Sequence, residues 1–246
     1  MILLIVANVL YRCRGSWVAI IVAILSVYIF FKVATGLKKE FFKLNIIMLS
    51  TLAVIIIFIV LLLFYRNDLW VSIKEDIISI YHGIFSETEY VIDVRNIPAV
   101  NIKWRLITWK DMFIDVLNRP FLGYGFGKKF ISETTLQMGW DTGLVDGWVE
   151  SHNYLLSFLY RSGFLGLGVF LSIVIGFFKK AIKFLKSCKD KKIEIFIIGL
   201  LGCIVYILIL GLFEVVLEVP YGGSLLWIIM GIVIVIINFY ERTVKL

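Results

Sequence analysis

The run Glu150-Ser151-His152-Asn153-Tyr154 sets one imidazole among a carboxylate, a hydroxyl and an amide, where a polar segment meets a long apolar one. Near the amino end of a helix, partly buried, a neutral imidazole is suited to take a proton from a hydroxyl group. The same residues also fit an interfacial histidine that only caps a membrane helix. Ionisable groups kept at membrane depth tend to be functional, but an interface is more forgiving.

Two arginines offer anion chemistry. Arg105 stands in Lys103-Trp104-Arg105-Leu106-Ile107-Thr108-Trp109, and Arg14 in Arg14-Gly15-Ser16-Trp17. A guanidinium is planar, always charged and able to grip a phosphate through two parallel hydrogen bonds. Lipid-headgroup anchoring accounts equally for Arg105, and interfacial snorkelling for Arg14 and its neighbour Arg12. The carboxylates Asp141, Asp146 and Glu150 approach His152 in sequence, as orienting groups, sugar contacts or a solvated loop face. Gly123-Tyr124-Gly125-Phe126-Gly127 demands glycine's backbone freedom. It is no nucleotide loop, because Gly127-Lys128-Lys129 lacks the Ser or Thr and no strand precedes it. A turn that shapes a pocket fits better. Cys13, Cys188 and Cys203 follow no zinc or redox spacing, so no disulfide, metal site or cofactor is expected.

The elements that hold these residues are membrane helices. Apolar residues make up 61% of the chain and mean hydropathy is +0.96, against about 45–50% apolar in a soluble domain. Apolar runs at 17–33, 44–65, 153–178 and 193–213 are long enough to span, and a shorter one lies at 225–240. A helix of about 20 residues covers the roughly 30 Å of hydrocarbon. The expected class is therefore all-α and polytopic, with about five transmembrane helices and one large extracytoplasmic loop. That divides the chain into N-terminal helices (1–65), the loop (66–151) and C-terminal helices (152–246).

The net charge of +7 does not call for nucleic acid. Lysines gather at 32–43 and 179–192, and Arg242 and Lys245 close the chain. These clusters fall on one side if the runs alternate, which makes that side cytoplasmic. The turn at 214–224 carries Glu214 and Glu218 and no Lys or Arg, so it faces outward with the loop and His152. Within the loop, residues 68–85 read as an amphipathic helix on the outer leaflet. After a break at Pro98, residues 103–117 repeat Leu106, Trp109, Phe113 and Val116 at helical spacing. The first ten residues are apolar but too short to span, and look like the end of a helix from a larger protein.

Taken in order, these segments resemble the O-antigen ligase and polymerase family of bacterial envelopes, over roughly residues 10–180. Cys13-Arg14-Gly15-Ser16-Trp17 is similar to the family's Ser-Arg-Gly opening of a helix, with Cys13 in place of Ser. Arg105-Leu106-Ile107-Thr108-Trp109, then Asn118-Arg119-Pro120-Phe121-Leu122-Gly123-Tyr124-Gly125, resembles its Arg-x-x-x-Trp helix and Pro-x-x-Gly-x-Gly turn. Ser151-His152-Asn153-Tyr154-Leu155, then Gly163-Phe164-Leu165-Gly166, resembles its His-Asn-x-x-Leu helix start and Gly-x-x-Gly continuation.

The resemblance implies a metal-independent, inverting glycosyltransferase in the inner membrane. Its donor would be a polyprenyl-diphosphate-linked oligosaccharide and its acceptor a glycan or a lipid. It assigns His152 to the acceptor hydroxyl and Arg105 and Arg14 to the donor diphosphate, with Glu150, Asn153 and Tyr124 as further donor or acceptor contacts. Family members share their cleft between two halves, so a separate chain supplying the first half is an expected partner. The competing expectation is a non-catalytic or truncated subunit of polysaccharide export machinery.

Overall fold

The computed structural model describes residues 14–35, 97–134 and 150–243. Five helices lie among them: α1 (Arg14–Thr35), α2 (Ile97–Asn118), α3 (Tyr154–Ser187), α4 (Lys191–Leu210) and α5 (Pro220–Thr243). No strand occurs among the described residues. The expected span at 44–65, the amphipathic helix at 68–85, and Arg12, Asp141 and Asp146 fall outside them.

The chain divides into two compact units, one of Met1–Lys38, Asp115–Lys129 and Glu150–Leu246, the other of Lys39–Ile114 and Phe130–Val149. In the first unit, α3, α4 and α5 are long and apolar enough to cross a membrane, and α1 carries a shorter apolar stretch, Val18–Ala34. The protein is thus a helical membrane protein. Its buried positions follow the helical period. On α4 they are Glu194, Ile197, Ile198, Leu201, Ile204 and Ile207, and on α5 Leu226, Met230, Val233 and Ile237. All of these but Glu194 pack with Phe177, Phe184 and Leu185 of α3 and Phe30 of α1 into one core. The opposite stripe of α1, Val18, Ile21, Leu25 and Ile29, is exposed. Lipid tails are as apolar as these side chains, so close packing rather than water exclusion holds the helices together. Gly202 serves that packing, because a Cβ there would fall on Val27 of α1.

Three boundaries differ from the sequence reading. Helix α3 runs on to Ser187, because Ala181, Phe184 and Leu185 stay buried while Lys183 and Lys186 turn outward. Helix α5 starts at Pro220 rather than near 225. Proline is tolerated in a first turn, where its missing N–H has no intrahelical partner to lose. For the same reason Pro98 opens α2 instead of breaking the chain.

The second unit contributes residues 97–114 and 130–134 to the description. The apolar repeat of α2 does not all point inward. Thr108, Met112 and Val116 are buried at intervals of four, while Leu106, Phe113 and Leu117 form an exposed stripe. An exposed apolar stripe is what a helix lying against lipid presents. Ser132 donates to Asp111 of the same unit at 2.6 Å.

Candidate functional site

The site grows from the amino end of α3. Asn153 is the N-cap, and its Oδ1 accepts from the amides of Leu155 (3.1 Å) and Leu156 (3.2 Å). The Tyr154 amide donates instead to the carbonyl of Gly211 at the end of α4, at 3.0 Å. Two of the donors that every helix start leaves orphaned are thus met by a side chain, and a third by a neighbouring helix. That last bond fixes the mouth of α3 against the turn joining α4 to α5, which carries Glu214 and Glu218.

Glu218 closes the arrangement. Its Oε2 accepts from Ser157 Oγ at 2.8 Å, and its Oε1 lies 3.2 Å from Ser151 Oγ. Ser151 Oγ also accepts from the Asn153 amide at 3.0 Å and lies 2.8 Å from the Asn153 carbonyl and 3.1 Å from Ser157 Oγ. Ser151 has a single hydroxyl proton, so it cannot donate to all its neighbours at once. With Ser157 committed to Oε2, that proton is shared between Glu218 and the Asn153 carbonyl. Ser151 and Ser157 are both buried, which strengthens such a network and makes its loss costly.

Held between this network and the cap, His152 adopts φ 51°, the one non-glycine residue with positive φ among those described. The left-handed region costs an L-residue about 1–2 kcal/mol, and such strain persists only where the surroundings fix it. His152 Nδ1 lies 3.9 Å from Glu214 Oε2, with both side chains partly exposed. This is an ion pair only when the imidazole is protonated. It is therefore suited to hold the imidazolium that forms once a proton has been taken.

Glu150 belongs to the same field. Burial raises its carboxyl above the ordinary range, and nearby Glu218 raises it further, while His152 and Arg161 pull it down. Sequence reasoning passed over Arg161 and gave Glu218 little weight. Ser157 and Glu218 lie 61 residues apart, and no local spacing announces their meeting.

The glycine turn meets α3 at its kink. Gly163 has φ 64° and ψ −171°, a region open essentially to glycine alone. The break frees the carbonyls of Tyr160 and Arg161 and the amides of Phe164 and Leu165. The 120–125 turn satisfies all four. Tyr124 and Gly125 donate to Tyr160 and Arg161 (2.9 and 2.8 Å), while Phe164 and Leu165 donate to Pro120 and Phe121 (2.7 and 3.2 Å). Broken helices in membranes need such partners, because no water replaces the lost bonds. The approach is so close that a Cβ at Gly123 would strike Tyr160 and one at Gly163 would strike Phe121. Two motifs far apart in sequence are thus the two halves of one lock.

The lock occupies Tyr124 on several sides. Its ring stacks on Tyr160 with centroids 4.9 Å apart, beneath the cations of Arg119 at 5.1 Å and Lys128 at 4.3 Å. The turn also aims Phe126 into a cavity of about 200 Å³. Phe158, Phe170 and Trp227 form much of its wall, and Ser157, Arg161 and Glu218 supply the polar part.

Of the other sequence candidates, Arg14 is the first residue of α1 in the first unit, and Arg105 is half-buried on α2 in the second. The structure brings Glu150, His152 and Asn153 together in one turn. Asn153 spends its side-chain oxygen on capping.

A family model described as O-antigen ligase matches residues 1–171, a stretch holding Arg14, Arg105, the glycine turn and His152. Glu214 and Glu218 lie beyond it. No curated protein and no solved structure matches the chain.

Proposed function

The chain belongs to the O-antigen ligase family, and from that premise we propose that it transfers a glycan from a polyprenyl diphosphate to an acceptor hydroxyl in surface polysaccharide synthesis. The reaction takes place at the outer face of the inner membrane. His152 accepts the acceptor's proton. The acceptor oxygen bonds to the anomeric carbon from the face opposite the diphosphate, and the bond from that carbon to the diphosphate oxygen breaks. Polyprenyl diphosphate leaves with the electron pair, and the anomeric configuration inverts. Arg105 and Arg14 hold the diphosphate and its growing charge, so no divalent cation is required. Glu214 steadies the protonated imidazole. Glu150, Asn153 and Tyr124 border the donor or acceptor.

The observation that carries this reading is His152 itself, strained at φ 51° between Ser151, which hydrogen-bonds Glu218 and Ser157, and the capping Asn153. A histidine that merely capped a helix would not need that backbone, because Asn153 already supplies the cap. The test is transfer in vivo by His152→Ala and Arg105→Ala variants confirmed to be folded and inserted. Both are expected to lose polymer transfer. Normal transfer by an expressed His152→Ala protein sinks the mechanism and favours a non-catalytic export subunit. A knockout strain then separates the two acceptors: single repeats left on the acceptor indicate a polymerase, intact polymer left on the lipid carrier a ligase.

A further inference from the structure

We infer that the cavity beside the His152 turn is a subsite for one neutral sugar ring, recognised by its aromatic walls together with Glu218 and Arg161. This rests on the reading that the chain handles a glycan, and it adds where one ring sits and what kind of ring it is.

The size limits the occupant. At about 200 Å³ the cavity falls below the roughly 300–1,000 Å³ of pockets that take drug-sized molecules, so it suits a single ring rather than an oligosaccharide. The chemistry of the wall narrows it further. Phe126, Phe158 and Trp227 offer faces of negative potential, on which the C–H face of a sugar packs well. Ser157, Arg161 and Glu218 gather the polar groups. A carboxylate has about four acceptor positions, and the two serines engage one at each oxygen. Glu218 can still accept from sugar hydroxyls, while Arg161 donates to them.

A lipid chain is the competing occupant. Covering a guanidinium and a carboxylate with hydrocarbon would strip their water without replacing it, which is costly. An acidic sugar is disfavoured as well. Among the described residues Glu218 and Arg161 are the charged groups lining the cavity, and Glu150 and Glu214 stand at the adjoining His152 turn, so carboxylates outnumber the lining cation and a further carboxylate is disfavoured. Occupancy also reaches His152, because Glu218 both lines the cavity and braces Ser151, the residue before it.

The experiment is saturation-transfer NMR on the full chain in nanodiscs, with the methyl glycosides of glucose, N-acetylglucosamine and glucuronic acid as probes. At least one neutral glycoside is expected to receive saturation above empty nanodiscs, and the glucuronide less. Trp227→Ala and Arg161→Gln should each weaken that binding at least fivefold. Trp227→Phe, which keeps a ring, should stay within twofold. Absence of neutral-sugar binding, as a lipid-filled cavity would give, overturns the proposal. So does a preference for the glucuronide, or binding that Trp227→Ala and Arg161→Gln leave unchanged. Normal transfer by His152→Ala with sugar binding intact would instead remove the catalytic reading and leave the subsite standing.

Discussion

The two ends of α3 solve the same problem in opposite ways. Each is followed or preceded by a capped helix start and carries a carboxylate drawn into the protein. Where α3 meets α4, Asp190 caps α4 by accepting from Lys192 and Ile193, and the fully buried Glu194 is held by Lys191 at 2.9 and 3.0 Å. That carboxylate meets a full opposite charge one turn away. At the other end Asn153 caps α3, and Glu218 is held by two neutral hydroxyls. Its charge is solvated but not cancelled, and it faces a cavity. The first end is electrostatically closed. The second keeps a negative field, a strained histidine and room for a ligand, and that difference is the contrast on which the proposed chemistry rests.

Substitutions can break or sharpen this contrast. The largest effect should come from His152. Removing a general base costs about 10²- to 10⁴-fold in rate, so His152→Ala should lower transfer by at least 100-fold in a reconstituted assay. His152→Gly should lose the same activity yet raise the thermal midpoint, because glycine relieves about 1–2 kcal/mol of left-handed strain. A fall in its midpoint would show that the backbone there is not strained.

Gly163→Ala comes next. It combines a conformation reserved for glycine with a collision at Phe121. A loss of about 3 kcal/mol or more is expected, read as reduced yield of folded protein in detergent. Lys191→Met tests the closed end. It leaves the fully buried Glu194 without its cation, at a cost of about 3 kcal/mol. Transfer per folded molecule should not change, and a specific loss of activity would erase the contrast between the ends.

The smallest effect is a pH dependence. The folded-state carboxyl of Glu150 is raised above 4.5, so the fold disfavours its ionised form. That penalty is absent below the unfolded value and grows as pH rises through the folded one. Glu150→Gln should therefore match wild type in thermal midpoint near about pH 4 and exceed it increasingly toward pH 7. A gap that narrows with rising pH would reverse the sign and remove Glu150 from the acidic field.

What the sequence made legible follows from the range of the interactions. Helical runs and the turn at 123–127 are local, and each left a mark in residue type or period. The partner helix ends were harder. Gly222 and Gly223 looked like part of a turn, whereas Pro220 starts α5 and brings Gly222 tightly against Val216. The meeting of Glu218 with Ser151 and Ser157, and the seating of the 120–125 turn on Gly163, depend on tertiary pairing. The glycines were visible as unusual, but not as halves of one contact. The period of α2 was visible, but which of its apolar positions turn outward was not, because period alone does not tell protein from lipid.

The lock between that turn and the kink is built from main-chain atoms. Only its glycines are constrained in identity. Tyr124, Phe126 and Arg161 hang from a frame that their own substitution does not dismantle. Phe126 and Arg161 on the rim of the cavity can therefore be rewritten while the histidine turn stays in place, so what the cavity admits is separable from what holds the turn.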